Sequence, residues 1–105
     1  MNIKKLYQGT LTGGSTKDTL VTAVRPTAVR HIQIANYSAS DATIKFWHDG
    51  TTNACLIVPA TTVVAGGMGV FGDDEIYLEQ GDTLIAESSA ATALTVTVYG
   101  EVLDL

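Results

Sequence analysis

The chain has 105 residues, 46% of them hydrophobic and only 16% charged, which excludes a highly charged disordered chain and allows a single core. Its net charge of −5 repels phosphate backbones, so nucleic acid is not expected as a partner. Cys55 is the one cysteine, which excludes an internal disulfide, and no Cys/His set has structural zinc spacing.

In chain order, Met1 to Lys5 carries two lysines but runs into Gln8, Gly9 and Thr10 without an apolar h-region, so export is not expected. Strands are predicted over residues 3–11, 19–24, 31–35, 43–48, 56–58 with 61–65, 75–79, 83–87 and 94–99. The clearest cases are Ile32 and Ile34 alternating with His31, Gln33 and Ala35, and Leu94, Val96 and Val98 alternating with Thr95, Thr97 and Tyr99. Turn residues separate them: Gly13 with Gly14, Arg25 with Pro26, residues 38–41, Asp49 with Gly50, Gly66 with Gly67, residues 80–82 and 88–91. Helical periodicity is nowhere sustained, and no apolar run approaches the roughly 20 residues that span a bilayer. The expectation is an all-β chain: a single antiparallel β-sandwich over residues 1–105, jelly-roll-like, with about eight or nine strands. Residues 1–6 read either as an N-terminal arm to a neighbour or as a plain edge strand.

Motifs that would carry chemistry fail one by one. Gly9, Gly13, Gly14, Ser15, Thr16 and Lys17 imitate a phosphate loop, but Ser15 stands where the lysine must be and no helix follows, so a glycine-rich β-turn is expected. Asp73, Asp74, Glu75, Glu79 and Asp82 carry oxygen ligands for a hard cation without EF-hand spacing, and read as a solvated turn beside a strand. His31 and His48 lie in strands without a partnered nucleophile. No serine sits in G-x-S-x-G, and Cys55 precedes an apolar run as a small hydrophobe would. Asn36-Tyr37-Ser38 matches a glycosylation sequon by chance. Neither catalytic residues nor a metal or cofactor are expected.

What remains are candidate contact residues. Alternation places Trp47 opposite Ile44 and Phe46, either exposed as an anchor or sugar platform, or covered as in many central strands. Met68 and Phe71 lie in the glycine-rich stretch 66–72, read as a loop that either presents them to a partner or folds back onto the core. Charge is split: all six bases and three acids fall in residues 1–50, and eight acids with no base in 51–105. The halves either interleave on a solvated surface or dock neighbouring subunits, with Lys4, Lys5, Arg25 and Arg30 facing the acids of residues 73–82.

Residues 34–43 with the following strand 44–48, the run Leu78, Glu79, Gln80, Gly81, Asp82, Thr83, Leu84, the small residues 88–91 and the closing strand 94–103 together resemble small β-sandwich virion accessory proteins of tailed bacteriophages. The likeness covers roughly residues 30–103. It implies a non-enzymatic head decoration or cement protein, made in the host cytoplasm and added to the virion. A neck or tail accessory subunit is the near variant. The implied partners are the major capsid protein or other virion subunits, and the implied assembly is a small homo-oligomer, a trimer first. On this reading Ile3, Lys4, Lys5, Trp47, Met68 and Phe71 are the partner-binding candidates. A carbohydrate-binding jelly-roll module centred on Trp47 is the alternative, and an enzyme a distant third.

Overall fold

Branched and small polar residues alternate along most of the chain, and each run that alternates becomes a strand whose branched members face inward. The computed structural model describes residues 3–14, 16–71 and 76–103. Nine strands form there: β1 (Lys4–Thr10), β2 (Lys17–Thr22), β3 (Thr27–Asn36), β4 (Ala42–His48), β5 (Leu56–Val63), β6 (Met68–Phe71), β7 (Ile76–Leu78), β8 (Thr83–Ser88) and β9 (Leu94–Val102), with a single 3₁₀ turn at Asn53–Cys55.

Pairing is nested and antiparallel throughout: β1 with β9, β2 with β8, β3 with β6 and β7, β4 with β5. The chain is thus a long antiparallel ribbon rolled up so that β9 also meets β3 and β8 also meets β4. Two sheets result, in the orders β1-β9-β3-β6, with β7 also on β3, and β2-β8-β4-β5. This is a jelly-roll sandwich, the architecture expected from the alternation and turn spacing.

Ile32, Ile34, Val96 and Val98 from one sheet meet Ile44, Phe46, Leu84 and Ala86 from the other, all fully or nearly fully buried. Gly100 is a tight point: a Cβ there would collide with the Ala28 carbonyl oxygen and lie 2.7 Å from Leu6 Cδ1. Gly13 (φ +78°) and Gly14 (φ +62°) make the turn between β1 and β2, which Thr16 N–H closes onto Gly13 O at 3.2 Å. The glycine-rich segment is therefore the β-turn the sequence predicted.

Lys4, Lys5 and Leu6 begin edge strand β1, one of the two readings of residues 1–6; Met1 and Asn2 lie outside the described residues. Two boundaries differ from the sequence reading. The stretch holding Met68 and Phe71 is not a loop but β6, in register with Ile32 to Ala35. β5 runs through Pro59, where a break was expected. It is an edge strand, and the register slips between Ile44 and Phe46 opposite that proline, so the missing N–H leaves no ladder partner stranded.

Candidate docking surface

Two polar anchors fix the ends of the sandwich. Asn36, 2% exposed, closes β3: Nδ2 donates to Ser40 O and Val63 O, both at 2.9 Å, and Oδ1 accepts from Ser38 N at 2.9 Å and Ser38 Oγ at 2.7 Å. Every hydrogen-bonding position of this sequon asparagine is used inside the fold, which leaves no amide nitrogen for a glycan. At the opposite side Asp82 Oδ2 accepts from Glu79 N at 3.0 Å and lies 3.1 Å from His48 Nε2. The Glu79 amide first, and then His48, hold the Asp82 carboxyl below its usual range.

Between these anchors the outer face of the β1-β9-β3-β6 sheet is built of two complete rows. One runs Gln8, Thr97, Gln33, Val70 and the other Thr10, Thr95, Ala35, Met68, each residue registered with the next across the four strands. The face follows from period two: Val96 and Val98 point into the core, so Thr95 and Thr97 must point out. None of the eight residues is charged. Four strands set the rows about 14 Å across. Met68 is 61% exposed and Val70 51%, and Gln33 Nε2 donates to Met68 Sδ at 3.0 Å. Tyr37, 61% exposed, continues the outward series of β3 beyond Ala35. The next row along the strands brings Lys5 beside Tyr99 and Tyr99 beside His31, whose rings lie 5.9 Å apart. Beyond it Arg30 pairs with Glu101 at 3.1 Å.

The other sheet's outer face is different in kind. Lys17, Glu87 and Lys45 form a charged row, with Lys17 bonded to Glu87 at 3.2 Å. Beside it runs Thr19, Ile85, Trp47, Leu56. Trp47 does face away from Ile44 and Phe46, as alternation predicts, but it is not exposed: it is 4% accessible, with Lys17 Nζ 5.3 Å from its ring centre. Its indole N–H is buried and meets no acceptor among the described residues.

The six candidate contact residues therefore do not converge. Ile3 (49% exposed), Lys4 and Lys5 stand at the β1 edge, Met68 at the opposite edge of the same sheet, and Trp47 under Lys17 on the other sheet. Phe71 turns inward, packed edge-to-face on Phe46 with ring centres 5.7 Å apart, so its alternative as a core plug holds and its role as an exposed anchor does not. The two charge halves interleave: Lys17 with Glu87 and Arg30 with Glu101 each join a first-half base to a second-half acid. Asp73, Asp74 and Glu75 lie outside the described residues. Among the described residues no three His, Cys, Asp or Glu side chains are placed to hold a metal ion, and no helix is long and apolar enough to cross a membrane. Sequence reading missed Val70 and the Gln8, Gln33, Thr95 and Thr97 rows. The signal was present, since the polar members of each alternating run already define an outer face.

No family model and no curated protein matches the sequence. Solved structures do match. A Podospora anserina GH26-CBM35 β-(1,4)-mannanase aligns over 99% of this chain and 26% of its own, at TM-score 0.55 and 11% identity. The T13 viral particle of infectious bursal disease virus aligns over 96% and 31%, at 0.53 and 7%. A family 35 carbohydrate-binding module from Clostridium thermocellum aligns over 96% and 92%, at 0.49 and 12%. The chain thus spans about a quarter to a third of the first two. At these identities the first two likenesses establish the β-sandwich fold alone.

Proposed function

We propose that the protein is a non-enzymatic structural subunit of a virus particle, a decoration or cement protein of the tailed-bacteriophage kind, made in the host cytoplasm and added to the assembled shell. The observation that carries this reading is the pair of uncharged, four-strand-wide rows on the β1-β9-β3-β6 sheet, ending in exposed Met68 and Val70. Rows without charges lose less on desolvation than charged ones and so suit burial against another protein, whereas the opposite sheet carries the charged row Lys17, Glu87 and Lys45. The resemblance of residues 30–103 to phage virion accessory proteins supports the same reading, with major capsid protein or other virion subunits as partners. Each copy, as a trimer or similar small oligomer, would touch more than one shell subunit. Once the first contact forms the others become intramolecular, and many weak contacts hold the shell together.

A carbohydrate module centred on Trp47 is less well supported, because that ring is covered by Lys17 rather than offered flat to solvent. The test is to mix the purified protein with phage particles stripped of accessory proteins and to image and weigh them. Regular lattice occupancy that is lost on Met68→Glu or Val70→Glu is expected. Occupancy confined to a vertex or tail would move the protein to the neck or tail apparatus, and binding to no virion part would refute the proposal.

A further inference from the structure

β1 and β2 are edge strands of opposite sheets, each paired on one side only. Where β1 begins and β2 ends they border a groove of about 280 Å³ lined by Leu6, Leu20, Val21 and Val102 among others. Val24, 77% exposed, lies on it, and Ile3 immediately precedes its rim. Pockets for small organic ligands run from roughly 300 to 1,000 Å³, so this groove has room for a few side chains rather than a cofactor. Its walls favour an extended occupant. An unpaired strand edge offers N–H and C=O groups to a further strand, and alternate side chains of that strand then point into the groove. Ala23 N–H donates to Asp82 O at 2.9 Å and Gly81 N–H to Ala23 O at 2.7 Å, which extends the β2–β8 ladder past Thr22 and Thr83 and leaves the outer edge of β2 unpaired like that of β1. Lys4 and Lys5, both on β1, distinguish the two edges.

Charge narrows the occupant. The protein carries −5 overall, yet Lys4 and Lys5 both line the groove. Lys4 meets no carboxylate among the described residues, and Lys5 Nζ donates only to the neutral Gln8 Oε1 at 2.7 Å. We propose that this groove receives an extended segment of a partner protein, apolar at alternate positions and acidic between them, which adds as a strand to the edge of β1. This inference does not rest on the virion reading.

The probe is a fluorescein-labelled heptapeptide of alternating valine and glutamate, titrated by anisotropy, with a valine and lysine peptide as control. Saturable binding of the glutamate peptide is expected, with main-chain amide shifts at residues 4–6 and 20–24. The variant combining Lys4→Glu and Lys5→Glu, both at exposed positions, is expected to fold, as circular dichroism would verify, and to bind at least about tenfold more weakly. Val24→Glu gives a second, independently folded test with the same expectation. Absence of saturable binding, equal binding of the lysine peptide, affinity unchanged by the charge reversal, or amide shifts elsewhere would each overturn the proposal. So would a dimer that the same charge reversal dissociates in sedimentation, which would seat a second copy in the groove.

Discussion

Truncating Phe71 to alanine separates folding from docking. Its ring is half-buried, belongs to the residues packed on the core, and meets Phe46 edge-to-face at 5.7 Å. Full burial of a phenylalanine is worth about 3–5 kcal/mol on truncation to alanine. Half of that, with the aromatic pair adding about 0.5–1.5 kcal/mol, gives roughly 2–4 kcal/mol. For a domain of this size each kcal/mol moves the melting point by about 4–8 °C, so Phe71→Ala is expected to lower it by roughly 10–30 °C. Met68 lies on the same strand three residues away, points outward and is 61% exposed. Met68→Glu is expected to cost under about 1 kcal/mol of stability while abolishing shell occupancy. Differential scanning calorimetry on both variants, beside the particle-binding assay, decides the matter. A Phe71→Ala protein melting within about 3 °C of the parent, or a Met68→Glu protein falling as far as Phe71→Ala, would refute the inward and outward assignment of β6.

Asn36→Ala strands the carbonyls of Ser40 and Val63 that its Nδ2 now serves, so urea unfolding should show a loss of about 2–4 kcal/mol; Asn36→Asp, which turns an acceptor toward both carbonyls, should be no milder. Asp82 ionises more readily folded than unfolded, since the Glu79 amide and His48 favour its charged form. Its contribution is therefore present above its ordinary value of 3.8 and lost as pH falls through the lower folded value. Asp82→Asn is expected to remove that part of the acid limb in stability curves measured from neutral pH downward. Lys17→Ala uncovers the single tryptophan, so its emission should shift to the red and acrylamide should quench it more strongly.

Period-two alternation is a local property, and what it governs was legible. The strands around Ile32, Ile44, Val96 and Leu84, the outward face of Trp47 and the turn at Gly13 and Gly14 all follow from it. β6 was hidden because Gly69 occupies an inward position between outward Met68 and Val70, which breaks the apolar pattern although the backbone still pairs with β3. Pro59 hid the continuity of β5 for a related reason: proline ends a central strand but not an edge strand, and edge position is a property of the whole sheet. The cover on Trp47 was out of reach, since Lys17 lies thirty residues away and reaches the ring only once β2, β8 and β4 are adjacent. The docking rows were legible strand by strand, but their union across β1, β9, β3 and β6 requires the registers.

Where the charges went also decides how docking should respond to salt. With acids concentrated in the second half and bases in the first, association between oppositely charged regions would weaken steeply as ions screen it. The fold spends two of those attractions internally, as Lys17 with Glu87 on one sheet and Arg30 with Glu101 at the far end of the other, and leaves two rows of four neutral residues between the sheet's edges. Docking through those rows is driven by excluded water, which salt does not screen. Shell occupancy should therefore change less than about threefold between about 0.05 and 0.5 M sodium chloride, a range over which the screening length falls from roughly 14 to 4 Å. A loss of tenfold or more would mean that charged residues outside the neutral rows carry the contact, and would move the docking surface to the Lys4 and Lys5 edge or to the Lys17 and Lys45 face.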